Sequence, residues 1–356
     1  VASTYSISKI LEGKVAGRPQ IVGLMEVIPL IAQDETHFTR AFSVPTLDME
    51  LAGNPTYGSV TVKNKGPAPL IAPSNTTWVT KHAAQDHAMA KGGLIGPRKT
   101  ERYDNAACVQ RTQGGHIPAG QHEFQILPAT LRKGITKELA DRREFGKFWP
   151  NIAALNSNLG VSDYGGGHLI LLFEQFAKEL MQFIAEFEIV KNQIGSIILI
   201  NGQLVGIEIA PTPEYWKSVW EPLIRFCYGP EALLASRKLG EHGLKTAIEA
   251  RPRMNINNVR TLDDLEKQLD ALRKAEQDRA ETSIRNVIDT SLNFEVDSKL
   301  PFNDPTLGSV TYTLMSTFKD YVGQIVEDEG YVVYCSLVNA AAITRRPQRQ
   351  AFSFEV

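Results

Sequence analysis

Six side chains suited to acid–base, nucleophilic or metal chemistry fall between positions 82 and 122: His82, Asp86, His87, Cys108, His116 and His122. They include four of the 7 histidines in the chain. Imidazole, carboxylate and thiolate together are the donor set of a zinc site or of an acid–base centre. The spacing argues against a metal. On a helix His82 and His87 would stand about 140° apart, whereas two ligands on one face need a step of four. Neither Cys-x-x-Cys nor His-Glu-x-x-His occurs, so no metal and no cofactor is expected. A Cys108–histidine dyad is the nucleophilic alternative. Its strand-like apolar surroundings favour a buried, inert thiol instead. A second candidate is Tyr164-Gly165-Gly166-Gly167-His168, because a glycine loop ahead of a helix can cradle phosphate on backbone N–H groups. No Walker lysine follows, and no Gly-x-Gly-x-x-Gly precedes it. A flexible connection is the simpler reading.

These residues need elements to hold them. The first 156 residues read as β-rich. Positions 21–32 form an apolar run of strand length in which Pro29 predicts an edge or a bulge. Ser59-Val60-Thr61-Val62 alternates as a half-buried strand does. Residues 80–90 read as a short helix or a loop, 106–111 as a strand and 133–149 as a charged helix. The polar, glycine-bearing stretch 156–167 is the expected internal boundary.

The part from 157 to 342 centres on residues 193–229. Two apolar runs flank Asn201-Gly202, the preferred pair for a two-residue hairpin turn. Thr212 supplies an N-cap oxygen, and Pro213 sits where a missing N–H costs nothing. Trp216, Val219, Trp220, Leu223 and Cys227 then recur on one helix face. Pro222 predicts a kink near Val219–Trp220, and Gly229-Pro230 predicts a stop. Before this unit, 169–190 reads as one long, strongly apolar helix. After it, a helical insertion at about 230–300 contains a charged helix beginning at Thr261-Leu262-Asp263-Asp264, with Leu265, Leu269 and Leu272 in a thin seam. The tail, 343–356, is a basic linker followed by an alternating segment carrying Phe352 and Phe354. The fold class is therefore α+β: an antiparallel β-rich N-terminal half, then a sheet-and-helix half with an Asn-Gly hairpin and long apolar helices.

The composition is that of an ordinary globular protein, 43% hydrophobic and 22% charged. A formal charge of -2 gives no bulk attraction to nucleic acid or anionic lipid, so neither is expected as a partner. The first twenty residues lack the apolar core of a signal peptide, and charges interrupt the most apolar segment, so no membrane span is expected. Three cysteines, Cys108, Cys227 and Cys335, lie far apart. A reducing, cytoplasmic setting follows as the expectation.

Three blocks carry a resemblance. They are GSVTVKNKG at 58–66, IGSIILINGQLVGIEIAPTPEYWKSVWEPLIRFCYG at 194–229 and DYVGQIVEDEGYVVYCSLVNA at 320–340. Over roughly 21–342 the chain resembles the ARG and Rhodanese-Phosphatase-superfamily-associated Protein domain, named for neighbouring ADP-ribosylglycohydrolase and phosphatase genes. The resemblance implies an ADP-ribose or NAD-linked setting and supplies no catalytic residues.

Two functions are expected on these grounds. The first is a non-enzymatic structural protein that self-assembles with copies of itself into a shell, ring or filament. Trp216, Trp220, Leu265, Leu269, Leu272, Phe352 and Phe354 are its interface candidates, the tail adding a strand to a neighbour. The alternative is an enzyme or sensor linked to ADP-ribose, NAD or nucleotide metabolism, using the 82–122 region.

Overall fold

A computed structural model describes residues 4–33, 40–52, 58–79, 86–111, 123–139, 148–163, 166–240, 259–289, 293–301, 311–316 and 321–339. Its strands are β1 (Thr4–Ser6), β2 (Lys14–Ala16), β3 (Gln20–Val22), β4 (Met25–Ala32), β5 (Met49–Ala52), β6 (Val60–Asn64), β7 (Leu70–Ala72), β8 (Thr76–Val79), β9 (His87–Met89) and β10 (Gly93–Ile95). They continue with β11 (Thr100–Tyr103), β12 (Ala106–Cys108), β13 (Glu123–Ile126), β14 (Gln193–Ile200), β15 (Gln203–Ile209), β16 (Asn293–Pro301), β17 (Thr311–Ser316), β18 (Tyr321–Asp328) and β19 (Tyr331–Asn339). The helices are α1 (Ile7–Leu11), α2 (Pro45–Asp48), α3 (Ala129–Leu139), α4 (Trp149–Leu159), α5 (Leu169–Gln175), α6 (Ala177–Glu186), α7 (Pro213–Glu221), α8 (Gly229–Lys238) and α9 (Leu262–Asp289).

The Asn-Gly hairpin forms as expected. Asn201 and Gly202 take φ of 51° and 72°, the left-handed pair that matches the twist of β14 and β15. That hairpin lies inside a 10-stranded sheet in the order β1-β16-β17-β18-β19-β15-β14-β4-β2, with β3 also on β4. Its strands pair antiparallel throughout. Both faces are covered. Ile198, Ile200 and Val205 point into the larger core with the helices, while Ile197, Leu199 and Ile207 point into a second core with Ile7 and Ile10 of α1. This two-sided burial explains why β14 reads as an unbroken apolar run. A third core, including Val62, Trp78 and Met89, sits among the short strands β5–β12. The chain is thus α+β with antiparallel sheets. α4 runs through position 156, and strands from either side of it share the large sheet.

Several expectations about helices are corrected. Residues 169–190 are two helices, α5 and α6, separated at Phe176 with φ -107° and ψ 21°. The bend lets α5 pack on α4 while α6 packs on the segment after α7. Neither piece is a long apolar helix. Gly229-Pro230 is no stop. At Pro222 the helix widens into a π-helical segment, Pro222–Tyr228, and then continues as α8. A proline without an N–H is accommodated by lengthening the hydrogen-bond step, and Pro230 falls in the first turn of α8, where its N–H is not needed. Pro29 is not on an edge: β4 lies between β14 and β2. A register slip lies in β14 between Gln193 and Gly195, opposite Ile31 and Leu30 rather than at Pro29, which pairs with Ser196. Positions 86–89 are extended rather than helical, so the helical-wheel argument for His87 falls away. Trp149 starts α4 instead of ending a helix from 133.

α9 begins as its sequence predicts. Thr261 Oγ1 accepts from Asp264 N at 3.1 Å, and Asp264 Oδ2 accepts from Thr261 N at 3.1 Å. This reciprocal box satisfies two donors at the first turn. Among the described residues no helix is long and apolar enough to cross a membrane.

Candidate functional site

Two groups of polar side chains are built into this frame. The first is a strip on one face of the β9–β12 pair. Cys108 faces His87 in the register, and Gln110 forms an antiparallel bridge with His168. Backbone bonds Val109 N to Asp86 O (3.0 Å) and Leu169 N to Val109 O (3.1 Å) run across neighbouring positions. Both facing pairs are therefore the non-hydrogen-bonded kind, in which side chains lie closest. Because side chains alternate along a strand, His87, Cys108, Gln110 and His168 share one face. His168 Nδ1 meets Asp163 Oδ1 at 2.6 Å. Burial opposes the Asp163 charge, yet bonds from His168, Asn156 and the Gly167 N–H hold its carboxyl below the usual range. An imidazole oriented by a carboxylate, on the same strand face as a thiol, supplies the residue types of base, orienting group and nucleophile. The thiol itself is at rest: burial raises Cys108, whose Sγ donates to Gln110 O at 3.1 Å.

The strip unites some predicted residues and leaves others apart. Asp86, His87 and Cys108 are together, and each is buried. His82, His116 and His122 lie outside the described residues. Among the described residues no three His, Cys, Asp or Glu side chains converge on a metal position. In the described part of the glycine loop, positions 166–168, backbone N–H groups are already taken. Asp163 Oδ2 already accepts from Gly167 N at 2.7 Å and His168 N at 3.2 Å. The sequence reading passed over Asp163, although an aspartate five residues before a helix-leading histidine was there to see.

The second group is wholly internal and was not foreseen. Arg132 of α3 crosses to the large sheet, its Nη1 donating to Glu208 Oε1 at 2.8 Å. Its Nε donates to Asn75 Oδ1 at 3.0 Å and its Nη2 to the Ser336 hydroxyl. Tyr228 Oη donates to the same Glu208 oxygen at 2.6 Å. Arg132 and Glu208 are 1% and 3% exposed. Burial works against the guanidinium charge, but Glu208 outweighs it and holds Arg132 protonated. Burial likewise pushes Cys227 and Tyr334 each to about 12. Gly206, two residues before Glu208, makes room for Tyr228: a Cβ there would lie 2.0 Å from the Tyr228 oxygen. Asn75, at φ 58°, also donates to Ala90 O at 2.9 Å. Glu231 of α8 closes the group, accepting from Thr130 N at 2.5 Å and Thr130 Oγ1 at 2.7 Å. Burial raises its carboxyl to about 7. The one visible hint was an acidic residue inside an otherwise apolar strand, Gly206-Ile207-Glu208-Ile209.

A cavity of about 10 Å³ borders this group, lined by Glu208, Ser336, Tyr334, Tyr215, Trp216 and Leu223 among others. It has room for about one water molecule, and the Trp216 Nε1 has no protein partner. No nucleotide fits there. The group is an internal brace between α3, the π-helical segment and the sheet.

The interface candidates divide. Trp216 and Trp220 are 1% and 6% exposed, their rings edge to face at 5.7 Å in the larger core. They are core residues, because α7 lies on β14 with its tryptophan face inward. Leu265 and Leu272 are half-buried, whereas Leu269 is 38% exposed. Phe352 and Phe354 lie outside the described residues.

An antiparallel sheet packed by helices and braced by a buried ion pair defines an α+β protein. Residues 14–306 match the ARG and Rhodanese-Phosphatase-superfamily-associated Protein domain, and the chain belongs to that family. The match contains the first two resembling blocks and ends before the third. No curated protein and no solved structure matches the chain.

Proposed function

We propose that this is a structural protein, without a reaction of its own, that assembles with copies of itself. The observation supporting this reading is the apolar edge left on α9. Leu262 is 83% exposed and Leu269 38%, on a 28-residue helix rich in charged residues. Two leucines one heptad apart on such a helix are the pattern of an unfinished helix–helix seam. Light scattering on the purified chain at micromolar concentration tests it. A discrete oligomer is expected, and a monomer would remove the reading.

A second reading rests on a different observation, the alignment of Cys108, His87, His168 and Asp163 on one face. It makes the protein an enzyme or sensor, and the family's association with ADP-ribose-processing neighbours suggests ADP-ribose, NAD or a nucleotide as the ligand. Thermal-shift measurements with NAD and ADP-ribose check it. Stabilisation by either that is lost in His168→Ala supports this reading, and no shift with either would oppose it.

A further inference from the structure

We propose that two copies pair antiparallel through the first half of α9, about a two-fold axis near Leu269, with Glu266 of each copy beside Arg273 of the other. This rests on the self-assembly reading and names its surface. Leu262, Leu265, Leu269 and Leu272 follow the 3-4-3 spacing of a heptad seam. The protein uses half of that seam itself. Leu265 and Leu272 are half-buried, and α9 touches α1. Leu262 and Leu269, at 83% and 38% exposure, lie about 20° from each other around the axis and about 100° from the direction facing the rest of the chain.

Charge selects the occupant. Glu266 and Arg273 are exposed and lie within about 60° of the leucine edge. The start of α9 is acidic, with Asp263, Asp264, Glu266 and Asp270 against Lys267, while Arg273 and Lys274 follow. A parallel partner would set acid on acid. An antiparallel copy sets Glu266 on Arg273, twice over by symmetry. Around an axis midway between Leu269 and Asp270, position 266 of one helix stands level with position 273 of the other. Arg273 now bonds Asp270 at 3.1 Å, both side chains about two-thirds exposed. Such a surface pair is weak and exchanges readily.

The test is the molar mass of the full chain by light scattering after size exclusion, for the parent and four variants. The parent is expected as a dimer or a multiple of it, and Leu269→Glu is expected to lose that contact. Glu266→Arg and Arg273→Glu should each weaken association by about tenfold or more, since like charges then meet. The double variant Glu266→Arg/Arg273→Glu should restore it. All these positions are exposed, so folding is preserved. A monomeric parent overturns both this proposal and the self-assembly reading. An oligomeric parent that Leu269→Glu leaves intact overturns this surface alone. Loss in both single variants without recovery in the double overturns the antiparallel register.

Discussion

Replacing Arg132 with methionine tests whether the internal brace is a coupled unit. The substitution keeps an unbranched chain of similar volume and removes the guanidinium. Glu208, 3% exposed, is then left with the Tyr228 hydroxyl at 2.6 Å and without its cation. Breaking a buried pair from one side costs about 3–5 kcal/mol, because the remaining charge stays desolvated. With an unfolding entropy of about 2.1 cal/mol/K per residue, a 356-residue chain loses ~0.75 kcal/mol per kelvin at its midpoint. The expected fall in Tm is therefore about 4–7 °C by calorimetry. Glu208→Gln should cost a comparable amount by stranding Arg132. The double variant Arg132→Met/Glu208→Gln holds no unpaired charge, and its amide oxygen still accepts from Tyr228. It should cost at least about 2 kcal/mol less than the sum of the singles. Additive singles, or an Arg132→Met cost below about 1 kcal/mol, would refute the account of a closed ion-pair brace.

Other consequences follow from neighbouring groups. Glu231 has its folded pKa raised by burial from 4.5 to about 7, so the native state holds its proton more tightly than the unfolded chain. That contribution is fully present below pH 4.5 and is lost as pH rises through about 7, to a total of roughly 3 kcal/mol. Denaturant melts of Glu231→Gln should show a flatter stability profile across that window, and an unchanged profile would contradict the assignment. Gly206→Ala puts a methyl 2.0 Å from the Tyr228 oxygen, pushing the ring off Glu208. A loss of about 1–3 kcal/mol is expected in chemical denaturation, and it should shrink when combined with Tyr228→Phe.

The sequence was informative where the physics is local. Asn201-Gly202 specified its turn because few residues accept positive φ, and Thr261 with Asp264 specified the start of α9 through side chains three residues apart. Thr212 did the same for α7, its Oγ1 accepting from Tyr215 N at 3.1 Å. Cys108 could be read as buried from its apolar neighbours. Where the outcome depends on what an element packs against, the pattern alone misled. The apolar stripe of 169–190 is compatible with one helix or two, and only the positions of α4 and the π-helical segment decide the break at Phe176. Trp216 and Trp220 make an apolar face that serves an interface or a core equally well. Their burial follows from β14 lying beneath them.

The candidate sites divide along the same line. His87 and Cys108 were visible as residue types, but their pairing depends on strand register 21 positions apart, and the link to His168 and Asp163 spans a further 60. Arg132, Asn75, Glu208, Tyr228 and Ser336 come from five separate stretches and share no spacing. Sequence alone determined the hairpin, the helix caps, the α+β class and the family, since each is written in neighbouring residues or in contiguous blocks. The tertiary structure decided which polar residues meet inside, and which leucines of α9 remain outside, because solvent exclusion depends on the whole assembly of elements and not on any one of them.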